Sequence, residues 1–126
     1  MVNVLLVAAG GAIGAAARYL AGLWLVARFG AGFPWGTFFV NVTGSFLIGI
    51  VLVLVERGAL PAEARLFLAV GVCGGYTTFS SFSYETLQLV NGGDAGPVLL
   101  NVLGQLLFCL LGVYLGVVVG RVLGGI

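Results

Sequence analysis

The sequence predicts an all-α membrane protein of four transmembrane helices, the third of them broken near its middle. Three observations carry this reading. The chain of 126 residues is 61% hydrophobic and only 7% charged, whereas a soluble domain carries about 25% charged residues. Its apolar residues fall into four segments, each long enough for the roughly 20 residues of a spanning helix. The third segment is interrupted by VCGGYTTFSSFSYETL, Val72 to Leu87, where glycines, hydroxyl side chains and a carboxylate replace the apolar run. A mean hydropathy of +1.22 leaves lipid as the solvent for most of the surface. The length allows a single domain, residues 1–126.

The first segment runs from about Asn3 to Val26. No basic region precedes it, so no cleavable signal peptide is expected and the segment should remain as a span. Gly10, Gly14 and Gly22 lie on one stripe at helical spacing, with Arg18 in the gap. The second segment, about Trp35 to Val55, carries Thr37, Asn41, Ser45 and Gly49 at every fourth position, one narrow polar stripe on an apolar helix. The third runs from about Ala62 to Val90. The fourth, about Pro97 to Leu123, repeats the pattern with Asn101, Gln105 and Cys109, and adds a glycine stripe at Gly112, Gly116, Gly120 and Gly124. Small residues at this spacing let helix backbones approach closely in lipid, so the glycine stripes predict tight packing. The connections Ala27–Pro34, Glu56–Pro61 and Asn91–Gly96 are short and hold turn-forming residues. Trp24, Trp35 and Tyr114 fall near segment ends, where an interfacial aromatic belt places such rings.

Charge excludes several function classes. There is no lysine, no histidine and a net charge of +1. A nucleic-acid groove needs clustered Lys/Arg, and the commonest general base and transition-metal ligand is missing. No P-loop and no catalytic constellation is present, so no enzyme is expected. Cys73 and Cys109 sit in apolar segments and read as small buried hydrophobes. With the N-terminus, second loop and C-terminus on one side, that side holds Arg57, Arg65 and Arg121 against Arg28, plus Arg18 if it reaches the surface. This bias is too small to set one orientation firmly. The chain either inserts with a weak preference or inserts both ways, and the second option allows an antiparallel dimer.

Polar side chains at membrane depth are costly and face protein or water. The two polar stripes read either as interhelical hydrogen-bonding glue or as a track for a polar solute. Gly74-Gly75 weakens a helix, and the hydroxyl residues after it compete for backbone bonds. From Thr78 to Val90 only about 20 Å of helix remains, too short to span. An unwound turn is therefore expected near Gly74 to Thr78, tolerated only where it is buried in protein or lines a cavity. Freed carbonyls at such a break bind cations, and freed N–H groups bind anions. Phe79 and Phe82 share a face. Their rings either fill core space or point positive edges into a pore, where they touch a small anion without holding it strongly. Arg18 either draws an anion to a pore mouth or snorkels to headgroups. Glu85 either faces a vestibule or ends a helix at the interface.

The stretches GGAIGAAARY (Gly10–Tyr19), GTFFVNVTGSFLIG (Gly36–Gly49) and GVCGGYTTFSSF (Gly71–Phe82) resemble, in order and spacing, the three signatures of the Fluc (CrcB) fluoride channel family. The resemblance covers essentially the whole chain. It implies a dual-topology antiparallel homodimer in the inner (plasma) membrane that passively exports fluoride from the cytoplasm. Two pores per dimer are implied, with a central structural sodium ion. Carried over by residue, Asn41 lines the pore, the ring edges of Phe79 and Phe82 meet fluoride, and serines 45, 80 and 83 (Ser45, Ser80, Ser83) line the anion path. Gly74 and Thr77 offer backbone carbonyls to sodium, and Arg18 matches the first-helix arginine. Ser81 replaces a threonine of the usual pattern and keeps the hydroxyl. Gln105 stands where a smaller hydroxyl residue is expected, so the resemblance does not carry a pore role onto it. The partners implied are fluoride, sodium, a second copy of the chain and lipid, with no nucleic acid.

Two other functions fit parts of the sequence. A small multidrug-type antiporter needs a carboxylate buried in a span, and none occurs before Glu56. A helical assembly or regulatory subunit accommodates the glycine stripes but not the broken third span.

Overall fold

The structure is a computed structural model and describes residues 1–125. Among the described residues, four helical stretches are long and apolar enough to cross a membrane: Val2–Phe29, Trp35–Glu56, Ala62–Asn91 and Ala95–Leu123. The first, second and last are the continuous helices α1 (Val2–Phe29), α2 (Trp35–Glu56) and α6 (Ala95–Leu123). The third span is composite. It begins as α3 (Ala62–Ala64), widens into a π-helix (Arg65–Cys73), returns to α4 (Gly74–Tyr76), breaks, and resumes as α5 (Phe79–Asn91). π-Helical turns are rare and concentrate at functional sites; this one runs directly into the break. The Gly74 N–H donates to the Ala69 carbonyl, five residues back, as that geometry requires.

Each end has a local cause. α1 runs past the expected boundary to Phe29 and ends at Gly30, whose φ of 80° turns the chain out of the helix, a conformation glycine adopts without strain. Asp94 caps α6 by accepting a hydrogen bond from the Gly96 N–H at 3.0 Å. Arg57 Nη1 donates to the Gly125 carbonyl at 2.6 Å and ties the end of α2 to the end of α6.

Packing follows the small residues. α1 lies against the π-helix and α4, and α2 lies along α6. A methyl group on Gly10 would strike the Phe67 carbonyl, and one on Gly14 would strike the Val72 carbonyl. A Cβ on Gly75 would come within 2.5 Å of the Gly11 carbonyl. On the other side, a Cβ on Gly116 would strike the Phe46 carbonyl, and one on Gly49 would lie 2.5 Å from the Val113 carbonyl. These are backbone-to-backbone seams, the device lipid-embedded helices use in place of a hydrophobic driving force. The buried apolar core is correspondingly small: Leu25, Val40, Val53, Ala69 and Cys73. Most large apolar side chains face outward, toward what would be lipid. Cys73 is buried, Cys109 half-buried, and both are free thiols.

The break is narrower than the sequence predicts. Gly74 and Gly75 stay helical, and only Thr77 (φ −84°, ψ 158°) and Thr78 (φ −154°, ψ 122°) are extended. The glycine pair serves close approach to α1, and that packing overrides its low helix propensity.

Candidate functional site

The break is held open by Asn41 of α2. Its Oδ1 accepts from the Thr78 N–H at 2.8 Å, and its Nδ2 donates back to the Thr78 carbonyl at 3.0 Å. This two-way bracket satisfies the backbone of an extended residue, as a neighbouring strand would. It also fixes the amide orientation, because a backbone N–H can only donate. The second Nδ2 hydrogen bond runs to Gln105 Oε1 at 2.8 Å.

From Gln105 the direction of every bond is determined. Gln105 Nε2 donates to Asn101 Oδ1 at 2.8 Å, Asn101 Nδ2 donates to Thr86 Oγ1 at 2.9 Å, and Thr86 Oγ1 donates to the Phe82 carbonyl at 2.7 Å. The circuit leaves α5 at its cap, crosses α2 and α6, and returns to α5. Asn101 and Gln105 are 0% and 4% exposed, a burial that polar side chains sustain only when paired. The two polar stripes, on α2 and α6, therefore face each other and meet at the break.

Thr78 also caps α5: its Oγ1 accepts from the Ser81 N–H at 3.2 Å. Thr78→Ala removes that cap and should cost about 1 kcal/mol, read as a lower midpoint of thermal unfolding in detergent, while Thr78→Ser should retain most of it.

Two cavities adjoin the break. One, of about 550 Å³, is lined by Asn41, Ser45, Thr77, Phe79, Phe82 and Gln105 among others. The second, of about 920 Å³, is lined by Arg18, Thr37, Ser81, Glu85 and Gln88 among others. Thr78 borders both. The Phe79 and Phe82 rings are 5.4 Å apart at 41°. Phe79 is 78% exposed, so within one chain its ring does not fill the core.

The expected site residues divide between these places. Asn41, Ser45, Gly74, Thr77, Phe79 and Phe82 line the smaller cavity. Arg18 lies in the larger cavity, together with Glu85. Ser80 and Ser83 are exposed on α5. Several hydroxyl protons are already spent: Ser45 Oγ donates to the Asn41 carbonyl at 2.7 Å and Ser83 Oγ to the Phe79 carbonyl at 2.9 Å. Thr78 Oγ1 donates to Ser81 Oγ, so Ser80 Oγ donates to Thr78 Oγ1, each at 3.2 Å.

Sequence reasoning missed the bracket on Thr78 and the place of Thr86. The stripe on α2 marked Thr37 but not its contact with Glu85: Thr37 Oγ1 donates to Glu85 Oε1 at 2.9 Å while Glu85 Oε2 is buried without a partner. Thr43 Oγ1 donates to the Phe39 carbonyl, so the Tyr76 hydroxyl donates to Thr43 at 3.0 Å and pins α4 to α2.

Among the carbonyls that the break strips of their helical donors are those of Gly74 and Thr77. In a continuous helix the Thr78 N–H would serve the Gly74 carbonyl and the Ser81 N–H the Thr77 carbonyl. Here those donors go to Asn41 and to the Thr78 hydroxyl. Neutral oxygens of this kind suit a hard monovalent cation. At the start of α5 the Phe79 and Ser80 N–H groups precede the first capped donor, the positive end of a helix.

These features define a class: a multi-pass helical membrane protein with an interrupted span and ion-suited backbone groups beside a cavity. Within that class the particular family is shown by comparison. The profile of the family described as "CrcB-like protein, Camphor Resistance (CrcB)" matches residues 5–117, and the chain belongs to this family. A protein of Thermus thermophilus named "Fluoride-specific ion channel FluC" is 58% identical over 121 residues, covering 96% of this chain and 95% of that one. A second protein of that name, from another strain of the species, is 55% identical and covers 99% and 100%. A third, from Rhizobium meliloti, is 47% identical and covers 96% and 98%. These relatives are named as ion channels and not as enzymes.

Proposed function

We propose that this chain forms a fluoride-selective channel giving passive fluoride export across the inner membrane. Two copies assemble as an antiparallel homodimer with two pores. The observation that carries the reading is the break at Thr77–Thr78, bracketed by Asn41 beside a cavity that also holds the Phe79–Phe82 ring pair. The names of the relatives supply the ion. The weak charge bias of the loops supports insertion in both orientations. The exposure of Phe79 fits a ring presented to a pore or to a second copy.

Fluoride is small and strongly hydrated. It crosses by exchanging water stepwise for polar groups and for the positive edges of Phe79 and Phe82. Repeated weak sites let it leave as readily as it enters. Arg18 and the larger cavity form the approach, where a positive charge concentrates anions. An inside-negative potential drives anion efflux by about 2.3 kcal/mol per 100 mV. The Gly74 and Thr77 carbonyls would hold a structural sodium ion, which would supply fixed positive charge at the break.

A subunit reading, with the amide circuit as helix glue, does not explain the break. The test is fluoride efflux from liposomes through the parent and through Phe79→Ile. Isoleucine keeps the bulk and loses the ring edge. A fall of about tenfold or more is expected, the size of one lost hydrogen bond to a charged group. Equal rates would remove Phe79 from the path.

A further inference from the structure

Thr77 is the residue at which the chain leaves α4, and α2 grips the third span on both sides of it. The residue after it, Thr78, is bracketed by the two hydrogen bonds of Asn41. The residue before it, Tyr76, donates its hydroxyl proton to Thr43 Oγ1 at 3.0 Å, since Thr43 gives its own to the Phe39 carbonyl at 2.7 Å. α4 consists of two glycines and Tyr76, so Tyr76 is the one polar side chain by which that turn can be held. Gly44 brings the α2 backbone directly against the pair. A Cβ there would strike Thr77 Cγ2 and lie 3.2 Å from Tyr76 Cδ1. Thr77 turns its own donors back into α4: its N–H at 3.0 Å and its Oγ1 at 2.9 Å both go to the Cys73 carbonyl. The Thr77 carbonyl, like that of Gly74, remains without its helical donor.

We propose that the Tyr76–Thr43 hydroxyl pair positions the cation site at the break. With the Asn41 bracket it clamps Thr77 from both ends and fixes the carbonyls of Gly74 and Thr77 before a cation arrives. Neutral carbonyl oxygens hold a monovalent cation only through several contacts at once, so a site that must first order itself binds more weakly than one set in advance. Thr77 is extended (φ −84°, ψ 158°) and has no helix of its own to hold it. The clamp supplies that order from α2. Tyr76 and Thr43 are positioning residues, acting through the backbone of Thr77.

This inference rests on the sodium site proposed above, and its test reads sodium binding directly. Equilibrium binding of radiolabelled sodium to the purified protein in detergent is compared for the parent, Tyr76→Phe, Thr43→Val and Thr43→Ser, with thermal unfolding recorded on each. Phenylalanine keeps the ring and loses only the hydroxyl. Valine removes the acceptor, and serine retains it. Tyr76→Phe and Thr43→Val are each expected to weaken sodium binding by about threefold to tenfold, the effect of one hydrogen bond. Thr43→Ser should bind as the parent does. The Tyr76→Phe/Thr43→Val double variant should bind no more weakly than either single one, because all three lack the same bond. If Tyr76→Phe does not fold, Thr43→Val against Thr43→Ser carries the same comparison. Parent-like sodium affinity in the phenylalanine and valine variants, whatever their unfolding midpoints, would show that the pair only braces the helices. Losses that add in the double variant would show that the two residues act separately. Either result overturns the inference and leaves the sodium site in place. Absence of sodium binding to the parent would instead overturn the sodium reading, and this inference with it.

Discussion

Asn41→Asp should abolish fluoride conduction and weaken the fold at the same time. The substitution keeps the acceptor for the Thr78 N–H but removes both amide donors. The Thr78 carbonyl at 3.0 Å and Gln105 Oε1 at 2.8 Å would then face an oxygen instead of an N–H. Each acceptor left without its donor costs about 1–3 kcal/mol, and an ionised carboxylate adds a buried charge with no partner. The same charge stands in the wall of an anion path. Fluoride efflux is expected to fall by about a hundredfold or more, the equivalent of roughly 3 kcal/mol. The unfolding midpoint should fall as well. Efflux and thermal unfolding of the same preparation check both, and a variant with parent-like flux would show that the bracket is not part of the conducting structure.

The second large effect concerns two glycines three positions apart on α1. A Cβ on Gly14 would strike the Val72 carbonyl and lie 2.8 Å from the Tyr76 nitrogen, all backbone atoms that cannot rotate away. Around Gly11 nothing lies within 4 Å of an added Cβ. Gly14→Ala must separate α1 from the third span just before the break, at a cost of about 1–3 kcal/mol or more. Gly11→Ala should stabilise α1 by about 0.5–1 kcal/mol, because alanine loses less backbone entropy than glycine in a helix. Opposite shifts in the unfolding midpoint are expected, with flux impaired only in the first. Shifts of the same sign would contradict the packing described for α1.

Much of this was legible in the sequence because membrane solvent imposes a small set of solutions. Runs of apolar residues marked the spans, and glycine at every fourth position marked the seams of Gly10 and Gly14 and of Gly112, Gly116 and Gly120, which the structure places against neighbouring backbones. The stripes on α2 and α6 were visible as stripes. Their pairing was not, since Asn41 and Gln105 are 64 residues apart and nothing local specifies that they touch. The extent of the break was overestimated for a physical reason. Glycine pairs weaken an isolated helix, but a Cβ added to Gly75 would lie 2.5 Å from the Gly11 carbonyl, and this close packing against α1 keeps the pair helical. The serines show a signal that was present and not used. Helical Ser and Thr tend to donate to the carbonyl four residues back, and Ser45, Ser83, Thr43 and Thr86 all do. That rule alone reduces the number of hydroxyls available to an anion.

The most direct test of selective fluoride passage is simultaneous release of fluoride and chloride from one set of liposomes loaded with both ions and containing the purified protein. Rapid loss of fluoride with chloride retained is the expected result. Equal release of the two ions, or retention of both by well-folded protein, would contradict it.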